Sequence, residues 1–218
     1  MNRTRVVFAP IMLAILGGYP VLAQNADSRM SFFLTSVSPG NGGDLGGLSG
    51  ADRHCKMLAT AVGLGNRPWH AYLSTSASGG QVAVNVRDRI GEGPWYNAKG
   101  IRIAQNVADL HSDTNNLTKA TQLNEMGDVV NGRGDSPNRH DILTGSQLDG
   151  TAFSGDADTT CQNWTSSGVG AARVGHHDRT GGGEHPSSWN SAHGSRGCSQ
   201  ENLQGTGGDG LFYCFAIK

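Results

Sequence analysis

Four cysteines constrain this chain more than any other feature. Cys55, Cys161, Cys198 and Cys214 are an even set at wide spacing. The N-terminus decides how to read them. Arg3 and Arg5 give a positive start, Val6 to Leu16 is an apolar run, Gly17-Gly18 and Pro20 break it, and Val21-Leu22-Ala23 offers small residues for cleavage. That order is a secretory signal peptide, too interrupted to span a bilayer. An exported chain meets an oxidising compartment, so the cysteines read as two disulfides. Three pairings remain open on counting alone. Thiolate zinc ligation is the rival, but there is no C-x-x-C pair and the spacings match no compact zinc module.

The cross-links are needed. The chain has 33 glycines, 36% hydrophobic residues and only 16% charged ones, so much of it must be loop around a modest core. The expected organisation is a signal peptide at 1–23, a short segment at 24–30 and one α+β domain at 31–218, secreted or periplasmic. No span follows the signal. With 17 basic residues against 18 acidic ones and no basic face, nucleic acid is not an expected partner.

Periodicity places the elements. Phe32 to Thr35 reads as a first strand. The clearest helix follows, with Ser49 as cap and Asp52 three residues on. Ala51, Cys55, Leu58 and Val62 make one apolar stripe, and Gly63 ends it. Trp69 to Leu73 and Gln81 to Val86 alternate like half-buried strands. Leu117 to Met126 reads as a second, weaker helix, and Gly127 to Thr160 as polar loop. Leu211 to Ile217 alternates most strongly: Leu211, Tyr213, Phe215 and Ile217 form one face, Phe212, Cys214 and Ala216 the other.

The order of these landmarks carries a resemblance. A cysteine-bearing helix, "GADRHCKMLATAVGL", is followed at once by "RPWHAYLS"; a late "CQNWTS" and "GCSQ" precede a closing "LFYCFA". This resembles the endostatin-like branch of the C-type lectin fold, exported bacterial lectin-like proteins included. The likeness runs from about Phe32 to Lys218 and is strongest at Ser49 to Ser74, Thr144 to Trp164 and Gly197 to Ala216. It implies a C-type lectin-like (endostatin-like) single domain with a mixed, mainly antiparallel sheet, one strong helix, long loops and two nested disulfides. These would be Cys55 with Cys214 and Cys161 with Cys198, contributing about 4–5 and 3–4 kcal/mol by loop closure. The calcium triplets of the sugar-binding members are not matched. Ser136-Pro137-Asn138 lacks the leading carboxylate or amide, and Trp189-Asn190-Ser191 lacks the final aspartate. Calcium also wants six to eight oxygens. The endostatins hold zinc near their N-terminus, where this chain has no matching histidines.

The chemistry concentrates in "VGHHDRTGGGEHPSSWNSAH", residues 174–193, with four of the eight histidines. Zinc would need three or four of His176, His177, Asp178, His185 and His193 to converge. On a strand, adjacent His176 and His177 point opposite ways. The Gly181 to Gly183 run reads as a flexible loop rather than a prepared cage. Trp189, Asn190 and His193 offer an aromatic face beside polar donors, which suits a sugar ring, or else Trp189 plugs the loop onto the core. The expected ligand-binding set is His176, His177, Asp178, Trp189, Asn190 and His193. No motif demands a cofactor, zinc and calcium included.

Catalytic signals are weak. There is no G-x-S-x-G elbow, and every cysteine has an expected partner. "GTGGDG" at Gly205 to Gly210 precedes a strand, whereas a phosphate cradle follows one. Arg133-Gly134-Asp135 resembles an integrin-binding loop. Asn116 and Asn163 head N-glycosylation acceptor triplets. The functional expectation is a lectin-like binding protein for carbohydrate or a cell-surface ligand. The alternatives are a surface adhesion or structural protein, through Arg133-Gly134-Asp135, and a metal-dependent enzyme.

Overall fold

The computed structural model describes residue 1 and residues 26–217. Apart from Met1, the proposed signal peptide at 1–23, and with it residues 24 and 25, lies outside the described residues. The rest is a mixed α+β fold with few helices. Its strands are β1 (Phe32–Leu34), β2 (Trp69–Ala71), β3 (Trp95–Tyr96), β4 (Arg102–Ala104), β5 (Asp141–Leu143), β6 (Arg173–His176), β7 (His193–Gly194) and β8 (Gly208–Ala216).

The closing strand organises everything. β8 is the longest strand, nine residues and almost wholly buried. β1 runs antiparallel along one edge of it; β2, antiparallel, and β5, parallel, share the other. β6 pairs with β5, and β7 with β6, both antiparallel. β3 and β4 form a separate two-stranded sheet. The alternation of β8 serves two cores. Phe212, Cys214 and Ala216 pack on the side of the long helix, with Phe33, Leu58 and Trp164. Leu211, Tyr213 and Phe215 pack on the opposite side, with Phe32, Tyr72, Trp95 and Trp189.

The long helix, Gly47–Ala61, buries Ala51, Cys55, Leu58 and Ala59, and Gly63 follows it with φ +83°. Its cap differs from expectation. Gly46, left-handed at φ 72°, precedes the first turn and no side chain caps it. Asp52 has other work: its carboxylate accepts from the Ala71 backbone N–H at 2.8 Å and pairs with Arg89 at 2.7 Å, tying helix to β2. The disulfides join Cys55 to Cys214 and Cys161 to Cys198. The first binds the helix to the central strand inside the core.

Three expected elements are corrected. Gln81 to Val86 is no strand: it makes isolated bridges (Ser78 with Gln81, Thr75 with Val84) around Gly79-Gly80, and Val82 is 83% exposed. Leu117 to Met126 is no helix. Thr118 N–H donates to Thr121 Oγ1, and Asn124 Oδ1 accepts from the N–H groups of Met126 and Asp128; these local bonds compete with helix. The polar stretch Gly127 to Thr160 contains β5, a buried strand at the middle of the sheet. A further feature had no sequence signal. Cys161, Gln162, Asn163 and Trp164 all have positive φ, a single left-handed turn, costly for L-residues at roughly 1–2 kcal/mol each. The disulfide and the buried Trp164, whose indole N–H donates to the Ser74 carbonyl at 2.8 Å, hold it in place.

Candidate functional site

The register of β5, β6 and β7 builds the first part of the site. Asp141 on β5 lies opposite His176 on β6, and Val174 on β6 lies opposite His193 on β7. Side chains on one strand return to the same face every second residue. Asp141, His176 and His193 therefore share a face. His140, just before β5, turns onto the same spot, and its ring stacks on His176 with centroids 4.4 Å apart.

Three histidines approach Asp141. Asp141 Oδ1 lies 3.2 Å from His140 Nε2, 3.3 Å from His176 Nε2 and 3.5 Å from His193 Nε2. His176 Nε2 and His193 Nε2 are 2.9 Å apart. His176 and Asp141 are sealed from solvent, His140 nearly so, and the His193 side chain is 23% exposed. Despite these approaches, neither carboxylate oxygen of Asp141 has a hydrogen-bond partner. Burial opposes the charge of Asp141, yet contact with His176 and His193 and the field of His140 hold its pKa below the usual carboxylate value. Contact with Asp141 raises the pKa of His193 against the opposing effect of burial.

The far ring nitrogens are all engaged. His176 Nδ1 is 2.7 Å from the Pro186 carbonyl, His193 Nδ1 3.1 Å from the Gly194 carbonyl, and His140 Nδ1 3.4 Å from Asp178 Oδ1. Asp178 thus orients His140 rather than joining the cluster. It also accepts from the backbone N–H groups of Arg133 and Thr180. Burial opposes its ionisation, but these bonds hold its pKa well below the carboxylate range. His177 faces the other way: Nε2 meets the Asn131 carbonyl at 3.0 Å, and Nδ1 is buried without a partner. Burial lowers its pKa. His177 lies outside the cluster.

The second part is a groove of about 360 Å³ beyond the same loop, between His111–Asp113 and Glu184–Asn190, with Arg179 at its side. Trp189 and Asn190 form its floor rather than project into it. Trp189 is only 3% exposed, packed between Tyr72 at 4.7 Å and Tyr213 at 5.3 Å. Asn190 Nδ2 donates to Tyr72 Oη and to the carbonyls of Gln147 and Leu148, and its Oδ1 accepts from Ser188. An open indole face for a sugar is thus corrected to a buried one. Tyr72 Oη also meets His111 Nε2 at 2.7 Å, and Tyr213 Oη donates to the Trp189 carbonyl. The rim carries the carboxylates of Asp113 and Glu184 and the imidazole of His185. A second depression adjoins the groove, sharing Leu148, Glu184 and His185 and adding Phe153 and Arg173.

No protein-family model matches this chain, and no curated protein matches it.

Of the six residues expected to bind ligand, the fold brings His176 and His193 together and sets Trp189 and Asn190 under the groove. It sends His177 and Asp178 elsewhere. Sequence reasoning missed His140 and Asp141. Their signal was an adjacent histidine and aspartate just before the apolar Ile142-Leu143, set in a stretch read as loop. Among the described residues no helix is long and apolar enough to cross a membrane, and the two disulfides accord with an oxidising compartment.

Proposed function

We propose that this chain is an exported binding domain of the C-type lectin-like, endostatin-like kind. It takes a hydroxyl-rich ligand of the carbohydrate class in the groove beside the 176–193 loop. The mixed sheet, the long helix bound to its central strand and the nested disulfides support the fold reading. One observation carries the ligand reading: two adjoining depressions share Leu148, Glu184 and His185. Together they make a trough for an extended chain of polar units. Carboxylates and imidazole at its rim accept and donate to hydroxyls, while the floor is rigid because its own polar groups are paired. Half-buried Phe153, with the Arg173 guanidinium 5.5 Å from its ring centre, adds an apolar surface.

The adhesion reading has less support. Arg133, Gly134 and Asp135 are exposed, but the Asp135 carboxylate is already held by Lys119 at 2.5 Å and by the Gly132 N–H at 2.7 Å. An integrin-type receptor would have to displace both. A glycan array with the full chain tests the proposal. Binding weakened about tenfold or more by Glu184→Ala or Asp113→Ala, one hydrogen-bonded anchor's worth, supports it. Absent glycan binding, with attachment to matrix protein abolished by Asp135→Glu, overturns it in favour of adhesion.

A further inference from the structure

We propose that His140, Asp141 and His176, with His193 beside them, bind one divalent transition-metal ion of the zinc class at the ends of the 176–193 loop. The distances suit such an ion. Tetrahedral zinc with bonds of about 2.0–2.1 Å sets neighbouring donors about 3.3 Å apart. Asp141 Oδ1 stands 3.2, 3.3 and 3.5 Å from the three imidazole nitrogens, and the His176–His193 pair is at 2.9 Å.

Proton accounting points the same way. A carbonyl oxygen only accepts, so His176 Nδ1 beside Pro186 and His193 Nδ1 beside Gly194 must carry the ring protons. His140 Nδ1 beside the Asp178 carboxylate does the same. Each neutral ring then presents a lone pair at Nε2. The Nε2 atoms of His176 and His193 then lie together beside the Asp141 carboxylate. This is also the second shell that metal-binding histidines ordinarily have: the far nitrogen donates to a carbonyl or carboxylate.

The burial supports a ligand as well. Asp141 is 2% exposed and both its oxygens lack hydrogen-bond partners, a costly state for an isolated anion. Gly181 and Gly183 lie directly over the rings of His176 and His193, where a Cβ at either would collide with the imidazole. The glycine run thus lets the backbone close on the cluster. Three nitrogens and one oxygen favour zinc-like ions over calcium. His140, Asp141 and His176 supply three mutually close donors, and His193, near His176 and Asp141, is the nearest fourth. The ion would fix the loop that walls the groove. That role rests on the carbohydrate reading; the ion itself does not.

The test uses the full, untagged chain with its disulfides intact, stripped with chelator and titrated with zinc, and with cobalt for its visible spectrum. Uptake of about one ion per chain, with the intense bands of tetrahedral cobalt, is expected. His193→Ala and Asp141→Asn should each weaken zinc binding about 100-fold or more. Asp178→Ala, which leaves His140 without its orienting partner, should cost about 10–100-fold. His185→Ala, in the same loop but outside the cluster, should change nothing. Wild-type uptake well below one ion per chain overturns the site, whatever the variants do. So does a His185→Ala loss equal to that of His193→Ala. If zinc binds but its removal leaves glycan binding unchanged, the site stands and the loop-fixing role falls.

Discussion

The 176–193 loop covers two buried polar groups, and they differ in one respect. Under the groove, Tyr72, His111, Asn190 and Ser188 form a network in which the groups serve one another: Tyr72 Oη accepts a hydrogen bond from Asn190 Nδ2 and meets His111, while Asn190 Oδ1 accepts one from Ser188. At the ends of the loop, His140, Asp141, His176 and His193 crowd together with both Asp141 oxygens unpaired. A satisfied buried network stiffens a fold, and an unsatisfied one is a liability unless something outside the chain completes it. The first group is therefore architecture and the second a receptor for a cation.

The largest expected effect breaks the architectural half. Trp189→Ala should cost about 3–5 kcal/mol, as for a buried aromatic truncated to a cavity, and denaturant melts should show nearly the same loss with zinc or with chelator. Next in size is the metal itself. Zinc at 100 times its dissociation constant should stabilise the chain by about 2.7 kcal/mol, read as a higher melting temperature than in chelator. A wild-type melting temperature indifferent to zinc would merge the two halves into one structural class. Tyr72→Phe leaves His111 and Asn190 each short of a partner and should cost about 1–3 kcal/mol, again independently of zinc. Asp141→Asn sharpens the contrast: the histidines hold the Asp141 carboxylate in its charged form in the fold, so in chelator the substitution should cost about 1–3 kcal/mol, while the gain from zinc disappears. Smallest is Glu184→Ala. Its partner is Arg173, but its side chain is 65% exposed, so the stability change should stay under about 1 kcal/mol while glycan binding weakens.

Much of the scaffold was legible in the chain. The stripe of Ala51, Cys55, Leu58 and Val62 and the alternation from Leu211 onward are local patterns repeated over enough residues to stand above noise. Gln81 to Val86 misled because alternation without a partner strand makes no sheet. β5 was illegible for the converse reason. Three residues, Asp141 to Leu143, carry no periodicity, and they form a strand only because β6 and β8 supply hydrogen bonds on both edges. The site failed with it. Thirty-odd residues separate His140 and Asp141 from the histidine-rich stretch, and no local signal spans that distance.

The sequence by itself determined that His176 and His177 point apart, since successive side chains on a strand take opposite faces. It also determined that the four cysteines would pair, and that β8 would present two apolar faces. Only the tertiary structure decided which histidine has company. The pairing of Asp141 with His176 and of Val174 with His193 is a matter of register, set by contacts between distant segments. A slip of one residue would turn His176 away and bring His177 in its place.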